Sequence, residues 1–503
     1  MEFRFKRIAR KRARSLYSIE LYTRFQRIEN GTIRASSRPG TSPLFLGIIG
    51  NIQPQGQLEE TMLSATYHFP TGFLWGTATS SHQVEGSNTN NNWSAWEAQE
   101  GRIRLGHKAG LACDWWGGRW KEDFDRAAES DQNAHRLSLE WSRIQPRPDV
   151  WDEDAIDHYR QMLRGLHQRG MTPMVTLHHF TDPLWLTELG GWEYDETPVL
   201  FEKFTLKVVD ALKEYCQNWV TINEPNVYTV MGYLFKAFPP AKNDLRICFA
   251  VLKNMVRGHA AAYRAIHRLQ PDASVGIALN YQSFKPTRAW LPFDRALAGF
   301  IHHNFNASFP NALMTGKFKF AFQSIDLPEA RNTQDFLGVN YYTRQMAAFN
   351  LLKKEDLFIH LTFPKDAEMS DTGHIANVPE DFFEAMKFAK GYGLPIYITE
   401  NGIEDADDDL RPRYLIQHIH QVWRAVNFNW PIKGYFHWSL VDNFEWERGW
   451  TQRFGLWGLD VDTQARLRRT SVDVYEAICR ENGIASAMVQ QYTPSIYNQL
   501  FPE

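Results

Sequence analysis

Two glutamates in this chain follow apolar runs that have the composition of buried strands. Glu224 ends "NWVTINE" (218 to 224), and Glu400 follows Ile396 and Ile398 in "PIYITENG" (395 to 402). β-Branched and aromatic residues favour strands, whereas a carboxylate at a buried strand end must be paired with a cation or used in a reaction. The two glutamates are therefore either structural ion-pair partners or a pair of reacting carboxylates.

Polar strand ends recur through the chain. Six further apolar runs match the pattern: "FLWGTAT" (73 to 79), "AHRLSLEW" (134 to 141), "PMVTLHH" (173 to 179), "SVGIALN" (274 to 280), "DFLGVNYY" (335 to 342) and "GYFHWSL" (434 to 440). Segments with helical periodicity separate them, such as "DAIDHYRQMLRGLHQRG". The candidates at or just past the eight strand ends are Gln83, Arg136, Glu140, His179, Asn223, Glu224, Asn280, Tyr342, Glu400 and Trp438.

Eight alternating strands and helices predict an α/β protein with a single (β/α)8 TIM barrel, because parallel strands need crossover helices and eight strands close a ring. An open doubly wound sheet is the rival fold. It normally carries a Gly-rich phosphate turn after its first strand, and the sequence contains neither that turn nor a P-loop. In a barrel, side chains at the carboxyl ends of the strands converge on one mouth, so the candidates are expected to share one pocket.

Two opposed carboxylates in an aromatic-rich pocket suit the cleavage of a glycosidic bond, in which one donates a proton and the other acts as nucleophile or base. The two roles need different pKa values. No cation neighbours Glu224 in the sequence, so burial is expected to raise its pKa and keep it protonated. Arg136 and the Tyr342 hydroxyl are expected to hold Glu400 in its charged form.

Composition argues against several other kinds of protein. The net charge of −3 does not favour a nucleic-acid partner, and no apolar run is long enough to span a bilayer. Four scattered cysteines without ligand-like spacing predict reduced core thiols in a cytoplasmic protein. No metal is expected, since the adjacent His178 and His179 would point to opposite faces of a strand.

The termini differ from the body of the chain. Residues 1–40 contain eleven Lys or Arg and three Glu. We expect residues 1–61 to be a basic, disordered extension, either a segment upstream of a start at Met62 or a membrane-surface or targeting arm. The barrel is predicted to cover residues 62–484, and residues 485–503 are predicted to form a C-terminal tail.

Four motifs resemble those of glycoside hydrolase family 1, the retaining β-glycosidases. "TINEP" (221 to 225) and "ITENG" (398 to 402) resemble the two active-site signatures of that family. "FPTGFLWGTATSSHQVEG" (69 to 86) and "GYFHWSLVDNFEWERGWTQRFG" (434 to 455) look like its amino-terminal and carboxyl-terminal motifs. The resemblance implies hydrolysis of β-D-glucosides, and also of galactosides and fucosides, by double displacement through a covalent glycosyl-enzyme without any cofactor.

The resemblance also implies a role for individual residues. Glu224 would be the general acid and then the base, and Glu400 would be the nucleophile. The residues expected to bind the sugar are Gln83, His179, Asn223, Tyr342, Trp438, Glu445 and Trp446. The expected supporting residues are Arg136, Asn280 and Phe454.

Three features bear on specificity. Relatives that act on 6-phosphorylated sugars carry Ser, Lys and Tyr where this chain has Glu445, Gln452 and Phe454, so unphosphorylated glycosides are expected. Glu224 stands where plant thioglucosidases of the family carry Gln, which argues against that activity. The motif "LHHFTDP" (177 to 183) departs from the family's Leu-Tyr-His-Trp-Asp-Leu-Pro and leaves the pocket shape beside the sugar open.

Other functions compete with hydrolysis. A transglycosylase that passes the sugar to an acceptor such as a glycolipid would use the same intermediate and stays an alternative. A catalytically silent sugar-binding relative would lack one of the two glutamates, and both are present. The expected partner is a small-molecule β-glycoside or oligosaccharide, and a homo-oligomer is left open.

Overall fold

The computed structural model describes residues 65–354 and 357–502 of the chain. The predicted extension, residues 1–61, lies outside the described residues. Within the described ranges, no helix combines the length and apolar character needed to cross a bilayer. All four cysteines of the sequence fall in these ranges, where they are buried and free of disulfides.

Eight parallel strands form a closed barrel in which neighbours in sequence are neighbours in space. They are β1 (Leu74–Ala78), β2 (Ala134–Ser138), β3 (Thr172–His178), β4 (Asn218–Asn223), β5 (Ser274–Asn280), β6 (Phe336–Tyr341), β7 (Ile396–Asn401) and β8 (Ile432–Trp438). Pairing of β8 with β1 closes the ring. The predicted TIM barrel is confirmed, and the open doubly wound sheet is excluded.

One main helix follows each strand of the barrel. These helices are α1 (Trp120–Glu129), α2 (Glu153–Gln168), α3 (Thr197–Leu212), α4 (Leu245–Leu269), α5 (Ser308–Thr315), α6 (Pro379–Lys390), α7 (Arg411–Asn427) and α8 (Thr470–Glu481). Local sequence explains them, as α2 shows. The Asp152 carboxylate caps its first turn by accepting a hydrogen bond from the Ala155 N–H at 2.9 Å, and Gly170 follows its end with a left-handed φ of 73°.

Additional elements fill the loops between strands and main helices. The additional helices are Ser81–Val84, Asn92–Glu97, Arg104–Gly106, Trp141–Ile144, Leu184–Glu188, Gly191–Glu193, Pro225–Tyr233, Pro292–His302, the π-helical turn His303–Ala307, Pro328–Ala330 and Trp446–Thr451. The additional strands form a three-stranded sheet (Ser283–Pro286, Arg344–Phe349 and Ile359–Thr362) and two hairpins (Lys317–Phe320 with Gln323–Asp326, and Trp457–Leu459 with Arg466–Arg468).

The two ends of the described chain pack against each other. Strand Thr66–His68 pairs in antiparallel fashion with strand Gly483–Ala485, and the Tyr67 ring stacks on Phe501 with 4.6 Å between the ring centroids. The segment predicted as a C-terminal tail contains the helices Ser486–Tyr492, Pro494–Ile496 and Tyr497–Leu500.

Apolar side chains form two separate clusters. The larger contains alternate strand residues and the inner faces of the helices, and it includes the completely buried Trp75 and Trp219. The smaller fills the barrel itself with Met174, Phe336 and Phe436. The barrel interior is therefore a packed core rather than a channel, which confines chemistry to one end of the strands.

A buried ion pair ties the first main helix to the chain that leads into the last one. Asp123 in α1 and Arg466, shortly before α8, have fully buried side chains and are joined by hydrogen bonds of 2.8 and 3.1 Å. The same carboxylate also accepts hydrogen bonds from Trp115 Nε1 at 2.7 Å and Arg126 Nη1 at 2.9 Å. Removal of this carboxylate would leave the Arg466 guanidinium buried without its counter-charge.

We therefore expect Asp123→Ala to lower the free energy of unfolding by about 3–5 kcal/mol, because an uncompensated buried cation is strongly destabilising. Urea denaturation followed by circular dichroism measures the change. The control is Asp157→Ala, which breaks the solvent-exposed pair with Arg160 and should cost less than about 1 kcal/mol. Equal losses in the two variants would contradict the assigned importance of the buried pair.

Candidate active site

A cavity of about 320 Å³ lies at the carboxyl ends of the barrel strands, and both glutamates face it. The other predicted site residues on its wall are His179, Asn223, Asn280, Tyr342, Trp438, Glu445, Trp446 and Phe454. Side chains from six of the eight strand ends therefore meet in one place, as expected for the mouth of a barrel.

Irregular strand pairing changes the direction of three polar side chains at the strand ends. The register shifts between Val220 and Asn223 in β4, between Val339 and Asn340 in β6, and after Ile398 in β7. A bulge turns the following side chains away from the simple in-and-out alternation of a strand. The chain ends that carry Asn223, Asn340 and Glu400 are all reoriented in this way.

Glu224 occupies a turn between β4 and the helix Pro225–Tyr233. Its backbone is left-handed, with φ 44° and ψ 58°, and its N–H donates to the Ala278 carbonyl at 2.7 Å. Pro225 disfavours the α-helical conformation at Glu224 and begins the helix itself. A left-handed backbone at a non-glycine residue costs roughly 1–3 kcal/mol and is typical of functional turns.

Strong hydrogen-bond donors hold both oxygens of Glu400. Arg136 Nη1 donates to Oε1 at 2.6 Å, and the Tyr342 hydroxyl donates to Oε2 at 2.6 Å. The side chain of Arg136 is completely buried. A charged guanidinium and a phenol stabilise a carboxylate, so this glutamate is equipped to work as an anion.

The donors that reach Glu224 from the described residues are neutral. Asn340 Nδ2 donates to its Oε1 at 2.7 Å and Asn280 Nδ2 donates at 3.0 Å. Burial, reinforced by the negative charge of Glu400, raises the pKa of Glu224 to about 8, and the two amide hydrogen bonds offset only part of that rise. At neutral pH this carboxyl group is therefore protonated and able to donate.

A chain of hydrogen bonds fixes the protonation of His179. Arg136 Nη2 donates to Asn223 Oδ1 at 2.7 Å, so Asn223 Nδ2 must be the atom that donates to His179 Nε2 at 3.0 Å. Burial and the nearby Arg136 hold the pKa of His179 well below its usual range. The neutral ring therefore carries its proton on Nδ1, which is buried and has no partner among the described residues.

Glu445 forms a second carboxylate corner of the cavity. It accepts hydrogen bonds from Asn443 Nδ2 at 2.9 Å and from Gln83 Nε2 at 3.1 Å, and burial raises its pKa to about 8. Gln83 is completely buried and lies behind this corner rather than on the cavity wall. Its amide NH2 also donates to the Phe444 carbonyl, and its Oε1 accepts from Ser80.

Aromatic rings form one wall of the cavity. The His179 ring lies nearly parallel to Trp438 and Trp446, with centroid distances of 6.0 and 6.1 Å. Phe180, which departs from the Trp of the family motif, packs against Trp446 at 5.2 Å and has a left-handed φ of 67°. The flat faces of these rings suit the C–H side of a pyranose.

The structure also corrects the expectation for Glu140 and adds a residue that was not among the candidates. Glu140 does not share the pocket, because β2 ends at Ser138 and the Glu140 carboxylate turns to accept hydrogen bonds from Ser81, Ser142 and Thr181. The missed residue is Asn340, which donates to both Glu224 and Asn223. It satisfies the criterion of a polar strand end, but the residue expected from this run was Tyr342, two positions later.

Comparison with known proteins agrees with this geometry. Residues 65–484 match the model of the family described as glycosyl hydrolase family 1. The chain is 32% identical to β-glucosidase A of Thermotoga maritima, over 83% of this chain and 98% of that protein. It is also 32% identical to a β-galactosidase of Sulfolobus acidocaldarius, over 83% of this chain and 96% of that protein.

Solved structures show the same likeness. The β-glycosidase from Pyrococcus horikoshii superimposes with a TM-score of 0.80 at 36% identity, covering 85% of this chain and 98% of that one. The Thermotoga maritima β-glucosidase in complex with glucoimidazole gives a TM-score of 0.79 at 31% identity, covering 83% and 100%. The chain therefore belongs to glycosyl hydrolase family 1 and is a β-glycosidase.

Proposed function

We propose that this enzyme hydrolyses β-D-glucosides, and also β-D-galactosides and β-D-fucosides, with retention of configuration, using Glu400 as nucleophile and Glu224 as acid and base. The difference between the environments of the two carboxyl groups carries the proposal. Glu400 is bonded by a cation and a phenol, whereas Glu224 is buried among neutral amides with a pKa raised to about 8. Retaining glycosidases need this combination of one anion and one acid about 5–5.5 Å apart.

In the first step, the Glu400 carboxylate forms a bond to the anomeric carbon as the bond from that carbon to the leaving oxygen breaks. The electron pair of the broken bond remains on the leaving oxygen, which takes the proton of Glu224. The aglycone departs as an alcohol, and the sugar stays on Glu400 as an ester.

In the second step, Glu224 takes a proton from water, and the water oxygen attacks the anomeric carbon to release Glu400. The ester is uncharged, so the negative charge that raises the pKa of Glu224 is absent at this stage. Loss of that charge lowers the pKa of Glu224 and favours its role as a base.

Two further cavity residues, His179 and Glu445, suit the hydroxyl groups of a sugar. His179 Nδ1 presents a proton that has no acceptor among the described residues, and Glu445 offers an acceptor or, when protonated, a donor. We assign Trp438 to the apolar face of the ring and Gln83 to the positioning of Glu445. The relatives are named β-glucosidase and β-galactosidase, which agrees with a Glu445 carboxyl group that can bind the C4 hydroxyl of either epimer.

Replacement of Glu400 by Gly should lower the rate of nitrophenyl β-glucoside hydrolysis by at least about 10⁴-fold, because the covalent step is lost. Azide is small enough to enter the space that the side chain leaves. We expect it to restore turnover and to yield the α-glycosyl azide, identified by NMR.

The matched control is Glu224→Ala, in which azide should give the β-glycosyl azide instead. There the glycosyl-enzyme still forms from an activated substrate, and azide takes the place of the water that Glu224 normally deprotonates. A β-azide from the Glu400 variant, or wild-type activity in it, would contradict the assignment of the nucleophile.

The value of kcat/KM should fall as pH rises through about 8, because Glu224 must be protonated in the free enzyme. Asn280→Ala removes an amide donor that stabilises the charged form of Glu224. The pKa should therefore rise, and the alkaline limb should move upward by as much as about one pH unit.

Two features make this shift specific. Asn280 donates to Glu224 and, within the described residues, makes no hydrogen bond to Glu445, the other glutamate of the cavity whose pKa is raised to about 8. Glu400→Gln should move the pKa of Glu224 in the opposite direction, since it removes a negative charge, and ¹³C NMR of labelled glutamate can measure this in the inactive variant. A downward shift in the Asn280 variant would contradict the assignment of the acid.

A further inference from the structure

A second, larger chamber adjoins the catalytic cavity. Its volume is about 710 Å³, against about 320 Å³ for the cavity that contains the two glutamates. Phenylalanines from separate segments form much of its wall, among them Phe284, Phe300, Phe305, Phe320 and Phe322. Its size lies within the range of about 300–1,000 Å³ that is usual for small-molecule sites.

The chamber and the catalytic cavity share part of their walls. Val227, Met231, Phe238, Asn280, Gln282 and Gln345 line both spaces. The shared wall includes the helix Pro225–Tyr233, which begins immediately after Glu224. A group that leaves the sugar beside Glu224 therefore meets this helix first.

The chemistry of the chamber differs from that of the catalytic cavity. None of its described lining residues is charged, and its four polar members are all amides. Three of these amides lie at the junction with the catalytic cavity. The fourth, Asn304, is already bonded, since its Nδ2 donates to the Phe300 carbonyl at 2.8 Å and its Oδ1 accepts from the Ala321 N–H at 2.5 Å.

A second sugar would be a poor occupant of this chamber. Its hydroxyl groups would lose their hydrogen bonds to water without finding replacements on the far walls, at a cost for each group. A charged aglycone would lose still more. An apolar group, in contrast, gains from burial in proportion to its area.

The far end of the chamber opens to solvent. Phe300 and Phe322 are 39% and 89% exposed, and their rings stack with 5.7 Å between centroids. Phe235, on another segment of the wall, is 42% exposed. Apolar side chains that remain exposed around an open groove are typical of binding surfaces.

On the basis of the function proposed above, we propose that the natural substrates are β-glycosides with a large uncharged hydrocarbon aglycone, and that this aglycone lies in the apolar chamber. The proposed mechanism places the leaving oxygen at Glu224. The wall of the chamber begins at Val227, in the helix that follows Glu224. The sugar is recognised in the polar cavity, and the hydrocarbon is recognised by burial.

The test is a series of methyl, butyl, hexyl and octyl β-glucosides, each used below its critical micelle concentration. Released glucose is measured with a coupled assay. We expect kcat/KM to rise about twofold to fourfold for each added methylene group until the chamber is filled. Cellobiose, whose aglycone is a sugar, should be cleaved with a much lower kcat/KM than octyl glucoside.

Substitutions in the wall locate the effect. Phe300→Asp places a charge in the chamber and should reduce the ratio of octyl to methyl kcat/KM by at least about tenfold, since a charge opposes hydrocarbon binding. Phe235→Asp repeats the test on another segment. The matched control is Phe293→Asp on the same helix as Phe300, because Phe293 is 67% exposed and does not line the chamber.

The outcomes separate this inference from the function on which it rests. If nitrophenyl glucoside is cleaved but kcat/KM does not change with alkyl chain length, the inference is overturned and the proposed function stands. A chain-length gain that survives in both chamber variants would also overturn it, because the gain would arise elsewhere. Failure to cleave any glycoside would overturn the proposed function and the inference together.

Discussion

The active site depends on one buried cation. Arg136 is completely enclosed by the barrel, and removal of a guanidinium from water is costly unless every donor finds an acceptor. Its donors reach the Glu400 carboxylate, the Asn223 amide oxygen, the Thr399 carbonyl and the Thr176 hydroxyl. Because a guanidinium can only donate, it dictates the orientation of every group around it.

That orientation is passed on through neutral side chains. Asn223 must turn its NH2 group toward His179, and Asn340 donates to both Asn223 and Glu224 while its own oxygen accepts from Thr399. Two chemically identical side chains are thereby made different. Glu400 is bonded directly to the cation. Glu224 instead accepts hydrogen bonds from two amides, and burial disfavours its anionic form.

The site is also divided by polarity. Carboxylates, amides and a neutral histidine line the catalytic cavity, whereas the wall of the adjoining chamber is mostly hydrocarbon. The helix Pro225–Tyr233 joins the two parts, because it directly follows Glu224 and contributes Val227, Val230 and Met231 to the apolar wall. The proposed proton donor and the proposed site of the leaving group therefore adjoin one element. The shape of that wall depends on where the connecting loops lie, and the family motifs do not contain those loops.

The sequence by itself determined the barrel and singled out the two carboxylates to which we assign the reaction. Strand and helix periodicities are local properties of the chain, and a charge at the end of an apolar strand is visible without coordinates, so β4 and β7 with Glu224 and Glu400 could be identified directly. The same rule was wrong for Glu140, which lies two residues past the end of its strand, and it identified Tyr342 but missed Asn340 in the same run.

Only the tertiary structure decided which way the side chains at the strand ends point. Irregular pairing of β4, β6 and β7 and the left-handed backbone of Glu224 arise from contacts between strands distant in sequence, and no local pattern encodes them. The same is true of Gln83, which lies behind Glu445 across more than 350 residues, and of the apolar chamber, whose walls come from separate loops. Alternation along a strand depends on residues adjacent in sequence, whereas the shape of a pocket depends on how segments distant in sequence pack together.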